Sequence, residues 1–77
     1  MNLELAILTL LSASPRALAM TVIQSKLPQF TGEQHTLTDI NDTLGRLERK
    51  GHVKGTADED LGTLWKETPD GRLRATK

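Results

Sequence analysis

Residues 36–53 read TLTDINDTLGRLERKGHV, and this stretch carries the clearest structural signal in the chain. Ile40, Leu44 and Leu47 recur at positions i, i+4 and i+7. Residues at that spacing share one face of an α-helix, so the three side chains form an apolar stripe opposite a polar face. The stretch therefore predicts an amphipathic helix.

Both ends of this helix carry signals of their own. Thr36 and Thr38 are candidate N-caps, because a threonine hydroxyl can accept a hydrogen bond from the free N–H groups of a first turn. Lys50 places a cation in the last turn, and Gly51 can adopt the left-handed conformation that ends many helices. We expect the helix over about residues 38–50.

Two more helices are predicted upstream. The first covers about residues 2–13 and ends at Ser14-Pro15, because the residue before a proline is pushed out of the α region. The second covers about residues 17–27 and ends at the proline that follows. An alternative starts the second helix earlier, with Ser14 as N-cap and Pro15 as the first helical residue, and the sequence leaves both starts open.

A loop and a β-hairpin complete the predicted order. Residues 29–36 are polar except for Phe30, so a connecting loop is expected there, with Phe30 turned into the core. Over about residues 52–68, two strand-like runs flank an acidic tip formed by residues 58–60, which predicts a hairpin. Pro, Asp and Gly at 69–71 predict a turn, and a basic tail completes the segment 69–77.

The order of three helices and a hairpin matches a winged helix-turn-helix domain, in which the hairpin is the wing. Residues 44–53, LGRLERKGHV, resemble the L-x-x-L-x-x-x-G-x-[VI] end of the third helix in PadR-like and MarR-like transcriptional regulators. Residues 65–72, WKETPDGR, are similar to the exit from their wing, and residues 7–15, ILTLLSASP, to their first helix. The resemblance implies one mainly α domain over residues 1–77, with a three-helix core and a small hairpin.

Related regulators usually dimerise through an additional helix, and this sequence ends at Lys77 before one. The resemblance therefore implies a minimal form of the domain. A homodimer is still a candidate assembly.

Composition excludes several classes of protein. Ten basic and ten acidic side chains give a formal net charge of zero and a pI near 6.7, whereas a nucleic-acid-binding domain typically has a pI above about 9. There is no cysteine, so neither a disulfide nor a thiolate metal site is predicted. The first helix is too short to span a bilayer and lacks the basic start of a signal peptide. We expect a cytoplasmic protein without a membrane partner.

Catalytic motifs are also missing from the sequence. It has no Gly-x-Ser-x-Gly elbow and no phosphate-binding loop, and His35 and His52 have no second ligand at metal-binding spacing. We expect no enzymatic activity, no cofactor and no metal site.

The polar face of the third helix is the candidate reading surface. The resemblance implies that its N-terminal part approaches base edges in the major groove of double-stranded DNA, while cations contact phosphates. The candidate groups for bases or phosphate in the helix are Thr38, Asn41, Asp42 and Thr43. The candidate phosphate contacts are Arg46, Arg49 and Lys50 in the helix, Lys54 and Lys66 in the hairpin, and Arg72 and Arg74 in the tail.

The charge balance supports a second hypothesis. Between residues 36 and 60 there are four basic and six acidic side chains, which would weaken binding to phosphates. The helix cations also have a structural explanation, because Arg46 can pair with Asp42 one turn earlier. The alternative to a DNA-binding regulator is therefore a winged-helix module that binds another protein.

Overall fold

The computed structural model describes residues 2–60 and 62–71, which form a set of helices packed on a small antiparallel sheet. The sheet has the strand order β1-β3-β2. The elements in chain order are α1 (Leu3–Ala13), β1 (Leu18–Ala19), α2 (Met20–Lys26), α3 (Pro28–Thr31), α4 (Leu37–Arg49), β2 (Val53–Asp58) and β3 (Gly62–Glu67). The predicted fold class, mainly α with a small β-hairpin, is confirmed.

Helix α1 lies at the centre of the core. Its N-cap is Asn2, whose side-chain oxygen accepts a hydrogen bond from Leu5 N at 2.8 Å. The helix ends at Ala13, as predicted, and Ser14 is extended. The buried residues of α1 are Ala6, Ile7, Leu8, Leu10 and Leu11.

The segment after α1 differs from both predicted starts of the second helix. Leu18 and Ala19 pair with Trp65 and Leu64 of β3 as a short edge strand, and α2 begins only at Met20. Strand pairing holds these two residues extended, so neither a start near residue 17 nor a Ser14 cap is formed. Two paired residues are too few to produce an alternating pattern that a sequence could show.

The expected loop over residues 29–36 contains a helical turn, α3. Leu27 was expected to end the helical path, but it has helical backbone angles and joins α2 to α3. Pro28 follows it at the first position of α3, where the missing N–H costs no hydrogen bond. Gly32 ends the turn in the left-handed conformation, with φ of 75°. Phe30 packs against the core, as predicted.

Helix α4 is the third helix of the sequence prediction. Thr36 is its N-cap, and its hydroxyl accepts from Asp39 N at 3.1 Å. Gly51 has φ of 79°, its N–H donates to Glu48 O at 3.0 Å, and His52 N donates to Leu47 O at 2.9 Å. Both bonds belong to the Schellman motif, which satisfies the last carbonyls of a helix. The predicted stop is therefore confirmed.

The predicted hairpin is present, with β2 and β3 paired in register from Val53 opposite Glu67 to Asp58 opposite Gly62. Trp65 is only 7% exposed, and its indole ring covers Gly55 on the neighbouring strand. A Cβ on Gly55 would stand about 3.0 Å from that ring, so only glycine fits without rearrangement. Because Trp65 also belongs to the hydrophobic core cluster, it anchors the hairpin to the core.

The predicted turn at residues 69–71 is helical. The Thr68 hydroxyl accepts from Gly71 N at 3.2 Å, which makes Thr68 an N-cap with a proline next to it at the first helical position. The tail residues 72–77, including Arg72 and Arg74, lie outside the described residues.

Candidate nucleic-acid interface

Helix α4 presents a polar surface opposite its buried stripe. Ile40, Leu44 and Leu47 are at most 1% exposed, whereas Thr38, Asn41, Asp42, Arg46, Arg49 and Lys50 are exposed. A shallow groove runs along this surface. Its lining residues are Asn41, Asp42, Gly45, Arg46 and Arg49.

Thr43 does not belong to this surface, although it was a candidate contact. The side chain is 1% exposed, and its hydroxyl donates to Asp39 O at 2.8 Å. Position 43 follows Ile40 by three residues and precedes Leu47 by four, so helical geometry places it inside the apolar stripe. The prediction that Thr43 contacts bases or phosphate is corrected: the residue is part of the packed face.

Arg46 and Lys50 lie on the flank of α4 that faces α1. Arg46 Nε is 3.6 Å and Lys50 Nζ 3.5 Å from the same oxygen of Glu4, in the first turn of α1. Arg46 Nη2 also donates to Thr43 Oγ1 at 3.3 Å. Within the described residues no ion pair joins Arg46 to Asp42, so the pairing expected within the helix is replaced by one between helices.

Arg49 occupies a different position on the helix. Its Nε donates to Gly45 O at a long 3.4 Å, and it makes no ion pair with any residue that the structure describes. The guanidinium lies beside the groove and is exposed to solvent. Arg49 is therefore available to an external anion.

The hairpin adds two cations close to its base. Lys54 and Lys66 are directly opposite each other in the register of β2 and β3, and both are exposed. Like charges directly opposite in an antiparallel pair destabilise it. The register therefore places two like charges side by side near the base of the hairpin.

The acidic tip of the hairpin stands apart from these lysines. Asp58, Glu59 and Asp60 are exposed, and Asp60 N donates to Asp58 Oδ1 at 2.9 Å in a side-chain-stabilised turn. Asp58 follows Lys54 by four residues on one strand, which is roughly 13 Å at the usual rise of a strand. The acidic and basic groups of the hairpin are therefore separated along its length.

The sequence does not predict two residues, Glu4 and Leu37, that lie at the candidate interface around α4. Glu4 is remote from α4 in sequence, and only the crossing of α1 and α4 brings it to Arg46 and Lys50. Leu37 is 42% exposed in the first turn of α4, one turn before Asn41. A leucine three residues before Ile40 reads as part of the apolar stripe, but the core does not extend to this end of the helix.

The topology decides the architecture of the domain. A central helix, an edge strand, two helices that lead into α4, and a closing hairpin follow one another in the order of a winged helix. The chain is a winged helix-turn-helix domain. No protein family and no curated protein matches its sequence.

Two solved structures are similar to this winged-helix domain. The PcaV transcriptional regulator from Streptomyces coelicolor, solved in complex with its natural ligand, is 25% identical with a TM-score of 0.74, over 97% of this chain and 49% of the PcaV chain. SSV1 F-93 is 18% identical with a TM-score of 0.72, over 99% of this chain and 81% of its own. The winged-helix domain thus spans about half the length of the PcaV chain.

Two other features of the winged-helix domain bear on its function. None of the helices that the structure describes is long and apolar enough to cross a bilayer. Across residues 2–60 and 62–71, no group of three or more His, Asp or Glu side chains is placed to hold a metal ion.

Proposed function

We propose that this winged helix binds double-stranded DNA as the reading domain of a transcriptional regulator. Helix α4 would enter the major groove, and the base of the hairpin would lie against the sugar-phosphate backbone. The observation that carries the proposal is the position of Arg49. Arg49 has no ion-pair partner among the described residues and lies on the outward face of α4, beside a groove that Gly45 helps to line.

The arrangement of charge supports the same function. Arg49 at the end of α4 and the lysine pair Lys54 and Lys66 near the base of the hairpin are three exposed cations. Glu48, next to Arg49 in sequence, is exposed and keeps its negative charge, and its carboxylate accepts from Gly55 N at 3.4 Å on the outer edge of β2. The local surface can therefore attract phosphate although the net charge of the chain is zero.

The groups suited to base edges lie in the first half of α4. Thr38 and Asn41 offer hydroxyl and amide groups, and an asparagine amide can form two hydrogen bonds with adenine in the major groove. Asp42 can only accept hydrogen bonds, and cytosine N4 is the usual base partner of a carboxylate, so its position beside the groove would favour a limited set of sequences.

Fluorescence anisotropy tests this proposal. The chain is titrated against a random duplex and against DNA from upstream of its own gene, at about 50 and 200 mM salt, a range over which phosphate contacts weaken strongly. We expect salt-sensitive binding with a preference for the upstream DNA. The stoichiometry of the same titration tests the expected homodimer.

A matched pair of variants locates the contact. Arg49→Ala should reduce the slope of log affinity against log salt by about one, because one phosphate contact is lost. Arg16→Ala removes the same charge from an exposed residue that precedes β1 and does not line the groove of Arg49, so it should leave the slope unchanged. No binding at tens of micromolar chain in 50 mM salt would overturn the proposal, and equal slopes for both variants would refute the contact between Arg49 and phosphate.

A second candidate function rests on the acidic tip of the hairpin. Its exposed carboxylates suit a basic protein surface and not a phosphate backbone. Glu59→Lys together with Asp60→Lys reverses this charge while keeping Asp58, whose carboxylate holds the turn. If the tip binds a protein partner, the double variant should lose that complex. If DNA is the ligand, it should bind DNA at least as tightly as the wild type.

A further inference from the structure

Glu4 is a carboxylate held against the cations of α4. One oxygen, Oε1, lies 3.6 Å from Arg46 Nε and 3.5 Å from Lys50 Nζ. The side chain of Glu4 is 33% exposed, whereas those of Arg46 and Lys50 are 56% and 52% exposed. The carboxylate is therefore the most enclosed member of a three-residue charge cluster on the flank of the candidate interface.

The position of Glu4 has a partial explanation in α1 itself. A carboxylate in the first turn is favourable beside the positive end of the helix dipole. That effect is available to any acid in the first turn, however, and Asn2 already caps this helix. The helix dipole therefore does not explain why one oxygen of Glu4 approaches two cations on another helix.

The contacts are too long to fix the cations permanently. Separations of 3.5 and 3.6 Å are outside the range of a strong charge-assisted hydrogen bond, and exposed pairs of this kind contribute little to stability. Arg46 and Lys50 also stand one turn apart on α4, where like charges repel. Glu4 offsets that repulsion and keeps both side chains on the α1 flank in the absence of another anion.

We propose that Glu4 sets the strength of DNA binding by competing with phosphate for Arg46 and Lys50. This inference rests on the proposed function and adds a residue of α1 to the interface. When phosphate approaches, each cation can turn from Glu4 to the backbone, but the carboxylate remains beside the phosphate and repels it. Glu4 thus holds affinity and salt dependence below what the cations of α4 could provide, and acts as a positioning residue.

The test compares Glu4→Gln with Glu33→Gln in the full chain. Both variants remove one negative charge. Glu33 is exposed in the segment before α4 and, unlike Glu4, forms no ion pair with Arg46 or Lys50. Glu4→Gln should bind DNA more tightly and add about one phosphate contact to the salt slope, so its advantage over Glu33→Gln should be about threefold larger at 50 than at 200 mM salt. Circular dichroism confirms that both variants fold.

Two further measurements separate a local role from a change of net charge. In a background of Arg46→Ala and Lys50→Ala, Glu4→Gln should change affinity much less than in the wild type, because no cation remains there to bring phosphate close to the carboxylate. Without DNA, the Nε–H resonance of Arg46 should shift in Glu4→Gln and stay in place in Glu33→Gln.

The outcomes distinguish this proposal from the function on which it rests. If the wild type binds DNA but Glu4→Gln and Glu33→Gln behave alike at both salt concentrations, the role of Glu4 is refuted and the DNA-binding function stands. If neither the wild type nor Glu4→Gln binds DNA at 50 mM salt, the function is refuted and the role of Glu4 with it.

Discussion

Gly71 packs so closely on the backbone of His52 that a Cβ at position 71 would collide with the His52 carbonyl oxygen. The same carbonyl accepts from Thr68 N at 3.0 Å, and the Thr68 hydroxyl donates to Gly51 O. The chain leaving β3 is thus fastened to the turn that ends α4. This junction fixes the base of the hairpin relative to the helix.

Gly71→Ala should destabilise the domain. The added methyl group meets backbone and not a flexible side chain, so the two segments must separate, at a cost of about 1 to 3 kcal/mol. Urea denaturation followed by circular dichroism measures this change, which is a large fraction of the stability of a small domain. An unchanged midpoint would show that the junction is looser than the contact implies.

Helix α4, its C-terminal end and the hairpin could be predicted because the sequence signals for them are local. Ile40, Leu44 and Leu47 repeat within one helix, and Gly51 stands where the stripe ends. β1 has no such signal, since Leu18 and Ala19 are extended only through pairing with β3, more than 40 residues later. Pairing with a strand distant in sequence therefore determines the extended conformation of Leu18 and Ala19, which local propensity does not specify.

The helical turn at residues 69–71 was a different kind of error. The signal was local and present, because Thr68 followed by Pro69 is a capping residue with proline at the first helical position. Proline, aspartate and glycine in succession also favour a turn, so two local signals compete at this position, and the capped helical turn is the one that forms.

The candidate site was predicted only in part, for the same physical reasons. Helical periodicity predicted the outward position of Arg49 and Asp42. It could not show that Arg46 and Lys50 meet Glu4, because that contact depends on how α1 crosses α4. Thr43 was misplaced because polarity was weighted above its position, which lies between Ile40 and Leu47 on the buried face.

Thr43→Val tests the corrected position of this residue. Valine has nearly the same shape, and the lost hydroxyl bonds only Asp39 O and the exposed Arg46. We expect unchanged DNA affinity and a change of less than about 1 kcal/mol in the free energy of unfolding, since the hydroxyl bonds within its own helix. A selective loss of DNA affinity in anisotropy titrations would contradict the buried assignment.

Leu37 is predicted to contact the methyl group of thymine. It is 42% exposed in the first turn of α4, the part of a recognition helix that faces base edges, and apolar side chains recognise that methyl group. Leu37→Ala should destabilise the domain much less than truncation of a core leucine, because Leu37 does not belong to the core cluster. It should weaken binding to the preferred duplex.

Duplexes with deoxyuridine in place of thymidine provide the control, since they lack only the methyl group. The wild type should lose affinity on the substituted duplex, and Leu37→Ala should bind both duplexes equally. A variant that still discriminates between them would show that Leu37 does not read thymine.

Gly45→Ala should affect stability and DNA binding in opposite directions. Glycine inside a helix costs up to about 1 kcal/mol relative to alanine, and a Cβ at position 45 would meet nothing nearer than Arg49 Nη2 at 4.0 Å. The variant should therefore unfold at a higher temperature. The same methyl group would stand in the groove between Asn41 and Arg49, where it would obstruct a ligand that approaches the helix closely.

Thermal denaturation and anisotropy on the same preparation measure both effects, and the raised melting temperature excludes unfolding as the cause of weaker binding. Reduced affinity in a more stable variant would mean that glycine at position 45 allows DNA to approach the helix closely, at a cost in stability. If Gly45→Ala gains stability and binds DNA as tightly as the wild type, the groove is not a contact surface, and the reading face of α4 must lie nearer Thr38 and Leu37.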